Sequence, residues 1–82
     1  MAPMRRYDLT MPELGLDEAP IVVSVWLAKQ GSRVSAGDQL VELLAGCVTV
    51  DLPSPADGIL VERCVEEGEP VQVGQRLAVI QC

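Results

Sequence analysis

The thiols and the single lysine amine are the side chains of this 82-residue sequence best suited to carry a covalently bound group. They are the thiols of Cys47, Cys64 and Cys82 and the amine of Lys29. A cysteine attacks as its thiolate, and activation needs a nearby base, cation or helix N-terminus. The sequence holds no histidine, and no basic residue stands between Arg33 and Arg63. Cys47 therefore has no activating partner close in sequence. Three widely spaced cysteines with no CxxC pair do not read as a zinc site, and no metal ligands are assigned. A disulfide scaffold is not expected in a reducing compartment. Cys64 reads as a small, half-buried hydrophobe in a strand. Cys82 reads as an incidental terminal thiol, and Lys29, in "WLAKQG", as a solvated strand-end charge. Nothing supplies an acid, a base and a nucleophile together, so the chain is not expected to be an enzyme by itself.

Cys47 lies in "VELLAGCVTVDLPSP", where two apolar, β-prone runs flank a small-residue break. That pattern predicts a hairpin with Ala45, Gly46, Cys47 and Val48 at its tip. Two readings of Cys47 follow. It is a turn residue of a surface hairpin, or it is a working thiol that takes an acyl group or forms a mixed disulfide.

Composition narrows the partners. Twelve acids face six bases, for a net charge of −6. Such a surface repels phosphate backbones and anionic membranes, so neither nucleic acid nor membrane is expected as a partner. Tyr7 and Trp26 are the only aromatics, too few for a base-stacking platform. Glu13, Asp17 and Glu18 form an acidic first loop that could dock a basic partner. Glu66, Glu67 and Glu69 read as a solubilising turn. The opening "MAPMRRYDLT" has two arginines with no apolar run behind them. It does not read as a signal peptide, and a cytoplasmic address is expected.

The elements that must position these residues are strands. No segment keeps a 3.6-residue apolar period for three turns, and glycine and proline punctuate every few residues. The pattern predicts strands at Tyr7–Met11, Ile21–Ala28, Arg33–Val34, Gln39–Leu44, Val48–Leu52, Gly58–Val65, Val71–Gln72 and Arg76–Gln81. One domain over 1–82 is expected, with 1–6 flexible. The chain also repeats itself. "GSRVSAGDQL" from Gly31 and "GEPVQVGQRL" from Gly68 share G-x-x-V-x-x-G-x-x-L, at an offset of 68 − 31 = 37. Met11-Pro12 resembles Leu52-Pro53 at an offset of 41, which predicts about four extra residues in the first half, near Gly15 to Ala19. Two similar halves, 7–44 and 48–81, imply a pseudo-twofold fold in which two sheets face each other. The hairpin at their junction then points away from the chain termini.

"MPELG", "VWLAKQGSRVSAGDQLVE", "TVDLPSPADGILVE" and "VEEGEPVQVGQRLAVI" resemble the lipoyl domain of 2-oxo acid or acetoin dehydrogenase acyltransferase components, a fold shared with biotinyl carrier domains. The resemblance runs from Tyr7 to Gln81. It implies an all-β fold, a flattened β-barrel of two four-stranded sheets with quasi-twofold symmetry. In such domains a lysine at the hairpin tip carries lipoate on an amide bond and shuttles between enzymes of the complex, which would be the partners. The loop matching Gly15 to Ala19 helps those enzymes recognise the domain. The family's tip usually reads Glu-(Thr/Ser)-Asp-Lys-Ala, whereas this chain reads Leu44-Ala45-Gly46-Cys47-Val48. The lysine position falls on Cys47, where a thiol cannot form the amide that lipoyl and biotinyl ligases make. The biotinyl Met-Lys-Met signature is absent too. The resemblance therefore implies a carrier-type domain, monomeric in isolation, with no cofactor expected. It would act through protein contacts, through the Cys47 thiol, or only as a structural remnant. No Ala- and Pro-rich linker follows Ile80, so a free-standing relative or an excised domain is expected.

Overall fold

Alternating valine, leucine and isoleucine build strands here because apolar side chains can pack on one face of a pleated ribbon. The structure, a computed structural model, describes residues 5–15 and 20–82. Its strands in chain order are β1 (Arg6–Thr10), β2 (Ile21–Trp26), β3 (Arg33–Val34), β4 (Gln39–Ala45), β5 (Val48–Pro53), β6 (Gly58–Arg63), β7 (Pro70–Val71) and β8 (Arg76–Gln81). They form two antiparallel sheets, ordered β1-β8-β6-β3 and β5-β4-β2-β7. The first is called sheet A and the second sheet B.

The two orders are the same order once the halves are exchanged. β1 takes the place of β5, β8 of β4, β6 of β2 and β3 of β7. The equivalence reaches single hydrogen bonds. Gly31 N–H donates to the Leu60 carbonyl at 2.6 Å, and Gly68 N–H donates to the Val23 carbonyl at 2.7 Å. Both partners move by 37 residues (68 − 31 and 60 − 23). The bulge between Val23 and Val25 on β2 recurs between Leu60 and Glu62 on β6. The pseudo-twofold expectation is therefore met strand by strand. The expected flattened barrel takes the form of a sandwich of two separate sheets.

The pairing of β1 departs from the offset of 41 expected from the shared proline. Leu9 pairs with Ala78, and Leu52 pairs with Val41, the residue equivalent to Ala78. Leu9 thus matches Leu52, at an offset of 52 − 9 = 43 where the shared proline suggested 41. The extra residues number six (43 − 37), and they lie between β1 and β2. Pairing decides register in a sheet, and a common dipeptide in a connection does not. Met11 then occupies the place of Ser54. Each accepts a glycine N–H through its carbonyl, from Gly74 at 2.8 Å and from Gly37 at 3.0 Å.

Leu40, Leu43, Leu60, Leu77 and Ile80 are wholly buried and form the centre of the core between the sheets. Ser54 is the buried polar side chain in this set, and its hydroxyl donates to the Ala56 carbonyl at 2.7 Å. β2 and β6 each stop two residues before the expected ends. There Leu27 N–H and Cys64 N–H turn to the Leu40 and Leu77 carbonyls, both at 2.8 Å. Trp26 is only half-buried, packed on the core edge and not inside it. Its indole N–H donates to the Val65 carbonyl at 3.0 Å, and the Arg63 guanidinium lies 5.5 Å above the ring. Tryptophan is large and carries a donor, so an edge position satisfies both demands.

Candidate functional site

The tip of the β4–β5 hairpin is built from the shortest loop that joins antiparallel strands. Ala45 pairs with Val48, which leaves Gly46 and Cys47 as the whole connection. Two-residue loops use primed turns because their twist matches the strands, and such turns need positive φ at the first loop position. Gly46 supplies it, with φ of +63°. Ala45 is buried and anchors the strand end, while Cys47 is exposed. Leu44 and Val48, beside the loop, are 37% and 50% exposed. The tip is also the pseudo-twofold mate of the chain ends. Cys82 matches Ala45, and Cys82 N–H donates to the Arg5 carbonyl at 2.9 Å. What is a closed hairpin in one half is the pair of open termini in the other. The two therefore lie at opposite ends of the molecule, and Arg5 and Arg6 are held by strand pairing there.

The first loop returns to the sheet beside this tip, because Ile21, where β2 begins, pairs with Ala45. Glu13 is exposed, and its carboxylate accepts the Gly15 N–H at 2.8 Å. Asp17 and Glu18 lie outside the described residues. Of the predicted docking acids, only Glu13 can be placed. Lys29 lies past the far end of β2, about 17 Å of strand from the tip. It cannot substitute for an amine at the loop.

The remaining thiols sit elsewhere. Cys64 follows β6 and is half-buried, as its pattern predicted, although one residue outside the strand. Burial pushes its thiol above the ordinary value, and the Glu62 carboxylate adds to this, while Arg76 opposes it. A raised folded-state pKa favours the protonated native state. The stabilisation is complete below the unfolded-state pKa and is lost as pH rises through the folded one. Cys64 is expected to react with iodoacetamide several-fold more slowly than Cys47 at neutral pH, as peptide mass mapping of a time course would show. Stability should fall above about pH 9, and Cys64→Ala should flatten that alkaline limb in urea melts. Cys82 is exposed, and its thiol donates to the Asp57 carbonyl at 2.7 Å.

Glu67 does more than solubilise its turn: its carboxylate accepts the Trp26 backbone N–H at 2.9 Å. Gln30, 37 residues earlier, accepts the Arg63 N–H at 3.0 Å in the mirror position. The repeat carried that signal, since it places 30 on 67 and 26 on 63. Among the described residues no group of three or more His, Cys, Asp or Glu could hold a metal ion. At the tip, the two loop residues offer a thiol and no amine.

Comparison with known proteins agrees with this geometry. The profile of the family described as "Biotin-requiring enzyme" (Biotin_lipoyl) matches residues 7–80. The lipoamide acyltransferase component of the branched-chain alpha-keto acid dehydrogenase complex of Bacillus subtilis is 33% identical over 74 residues, 90% of this chain and 18% of that protein. The dihydrolipoyllysine-residue acetyltransferase component of the pyruvate dehydrogenase complex of Mycobacterium tuberculosis is 40% identical over 70 residues, 85% of this chain and 13% of that protein. The chain thus spans less than a fifth of the length of these relatives. The solved lipoyl domain of the 2-oxoglutarate dehydrogenase complex from Azotobacter vinelandii superposes with a TM-score of 0.69 at 26% identity, covering 89% of this chain and 92% of that one. Eight strands in two pseudo-symmetric sheets, a two-residue hairpin tip and a match along nearly the whole chain lead to one conclusion: the chain belongs to the biotin–lipoyl domain family.

Proposed function

We propose that the chain is a lipoyl-type domain of a 2-oxo acid or acetoin dehydrogenase acyltransferase component that takes neither lipoate nor biotin, and that it acts through protein–protein contacts in place of a swinging arm. The observation that carries this reading is the hairpin loop itself, Gly46–Cys47, with the sequence's one lysine at the other end of β2. Cys47 stands where the family resemblance puts the modified lysine. Its bare thiol lacks the reach of a lipoyl arm, so chemistry at separate active sites is not assigned to it, nor is catalysis to the chain. The acidic surface suits docking to a basic face of a neighbouring enzyme, in the cytoplasm and as a monomer.

The exposure of Cys47 also favours a second reading, a thiol-based acyl or redox carrier. Intact mass of protein purified from its native host, before and after reductant, separates the two. The unmodified mass in both lanes is expected. A lipoyl or biotinyl increment would overturn the proposal, and a reductant-labile or thioester adduct on Cys47 would establish the second reading.

A further inference from the structure

The pseudo-twofold supplies an internal control for the protein's surface. Equivalent positions on the outer faces of the two sheets do the same work for the fold, so a difference between them is not required by folding. Directly paired residues of an antiparallel sheet point to the same side. Across the outer face of sheet B, one such row runs Thr49, Leu44, Val22 and Pro70. The equivalent row of sheet A reads Arg6, Gln81, Ile59 and Arg33. One row is apolar through its centre, and the other ends in an arginine on each side.

The next row differs in arrangement and not in composition: on sheet A it runs Asp8, Val79 and Glu62, with the buried Val79 between the two carboxylates. On sheet B it runs Asp51, Glu42 and Val25, with Val25 36% exposed. Asp51 and Glu42 are paired directly, two carboxylates on adjacent strands, and that arrangement destabilises a sheet. Among the described residues, the strands of sheet B carry no lysine or arginine, whereas the outer face of sheet A carries Arg6 and Arg33. Leu44 and Val25 leave 37% and 36% of their surface in water on this face. Partial apolar exposure and direct carboxylate pairing therefore coincide on one face, while the equivalent face separates its two acids with a buried valine.

We propose that the outer face of sheet B is the docking surface, and that its occupant is a protein presenting an apolar ridge flanked by lysine or arginine. The apolar lane Leu44–Val22–Pro70 takes the ridge, and Asp51 and Glu42 take the basic flank. Charge complementarity selects the partner and speeds the encounter, while the apolar lane supplies most of the buried area. The lane reaches the hairpin tip through Leu44, so docking leaves the tip at the edge of the interface. This rests on the reading that the chain works by contact with dehydrogenase-complex components.

The test uses the whole chain and the purified decarboxylase and dihydrolipoamide dehydrogenase components of the native host, by titration calorimetry. The double variant Leu44→Gln, Pro70→Arg copies sheet A onto sheet B, and Arg6→Thr copies sheet B onto sheet A. The first is expected to weaken binding at least tenfold and the second less than twofold. Native affinity should also fall several-fold between 50 and 300 mM salt, roughly as expected for an electrostatic interface. Circular dichroism melts would establish that both variants are folded, and Leu44→Thr, milder in shape, serves if the double variant is not. Equal binding by the sheet B variant, or an equal loss in Arg6→Thr, would overturn the docking face and leave the contact reading standing. Binding by neither component overturns both. Concentration-dependent self-association abolished by Asp51→Lys would replace the foreign partner with a second copy and overturn the proposal as stated.

Discussion

Cys47→Lys, produced beside an active lipoate ligase, gains a lipoyl group at the hairpin tip, and the native chain gains none. The expectation rests on the loop's geometry. Ala45 and Val48 are paired, so position 47 is held as the second residue of a two-residue turn and points into solvent. An amine placed there has the fixed, exposed presentation that an amide-forming enzyme needs. Surface substitutions in such a loop cost within about 0.5 kcal/mol, so the fold should be unchanged. The acidic flank usual in the family is missing, which should make modification by the ligase partial. Adding Gly46→Asp should raise the modified fraction, because aspartate is among the residues that tolerate the positive φ of +63° found there. Intact mass after co-expression reads the outcome as a yes or no for each variant. A Cys47→Lys, Gly46→Asp chain that stays unmodified, while a family domain in the same cells is fully modified, would show that position 47 is not the attachment address.

Much of this site is legible in the sequence, and the reasons differ from residue to residue. The hairpin was legible because β-prone runs on both sides of Ala45-Gly46-Cys47 leave only one short connection. The pseudo-twofold was legible because Gly31, Gly37, Gly68 and Gly74 hold the same backbone conformation in both halves, and few other residues adopt it. The register of β1 was not legible. Met11-Pro12 and Leu52-Pro53 look alike, yet the sheet matches Leu9 with Leu52, because pairing answers to β8 and β4 and not to the proline. The role of Glu67 was hidden by its neighbours, since three glutamates around a turn look like solubility. Its partner, the Trp26 backbone N–H, lies 41 residues away, and the repeat aligns that pair with Gln30 and Arg63 without saying that either pair bonds. The contrast between the outer faces was hidden for the same reason. Leu44, Val22 and Pro70 are far apart in sequence and become a lane only when β4, β2 and β7 are laid side by side.

Leu60→Ala is expected to cost about 2–5 kcal/mol of unfolding free energy, and Gly58→Ala about 1–3 kcal/mol, for opposite reasons. Leu60 has no exposed surface and lies at the centre of the core, so removing its branched end leaves a cavity that close-packed neighbours fill only in part. Its backbone is fixed on both sides, accepting from Gly31 at 2.6 Å and donating to Ser32 at 2.9 Å, which limits collapse. Gly58, on the same strand, fails by overfilling. A Cβ there would sit 2.5 Å from the Gln81 carbonyl oxygen and 2.9 Å from its carbon, both backbone atoms of β8. Only a shift of β6 against β8 can relieve that contact, and these two strands share the register that closes sheet A. The pseudo-equivalent of Gly58 is Ile21 (58 − 37), which carries a large side chain at the same place in sheet B. The crowding is therefore local to Gly58, and no rule of the fold demands glycine there. A domain of this length has about 4–12 kcal/mol of stability in all, so either substitution moves it appreciably toward unfolding. Urea melts followed by tryptophan fluorescence of Trp26 would show a lower midpoint with an unchanged slope. If Gly58→Ala proved neutral while Leu60→Ala lost several kcal/mol, β8 would have to be free to move where its pairing with β6 says it is held.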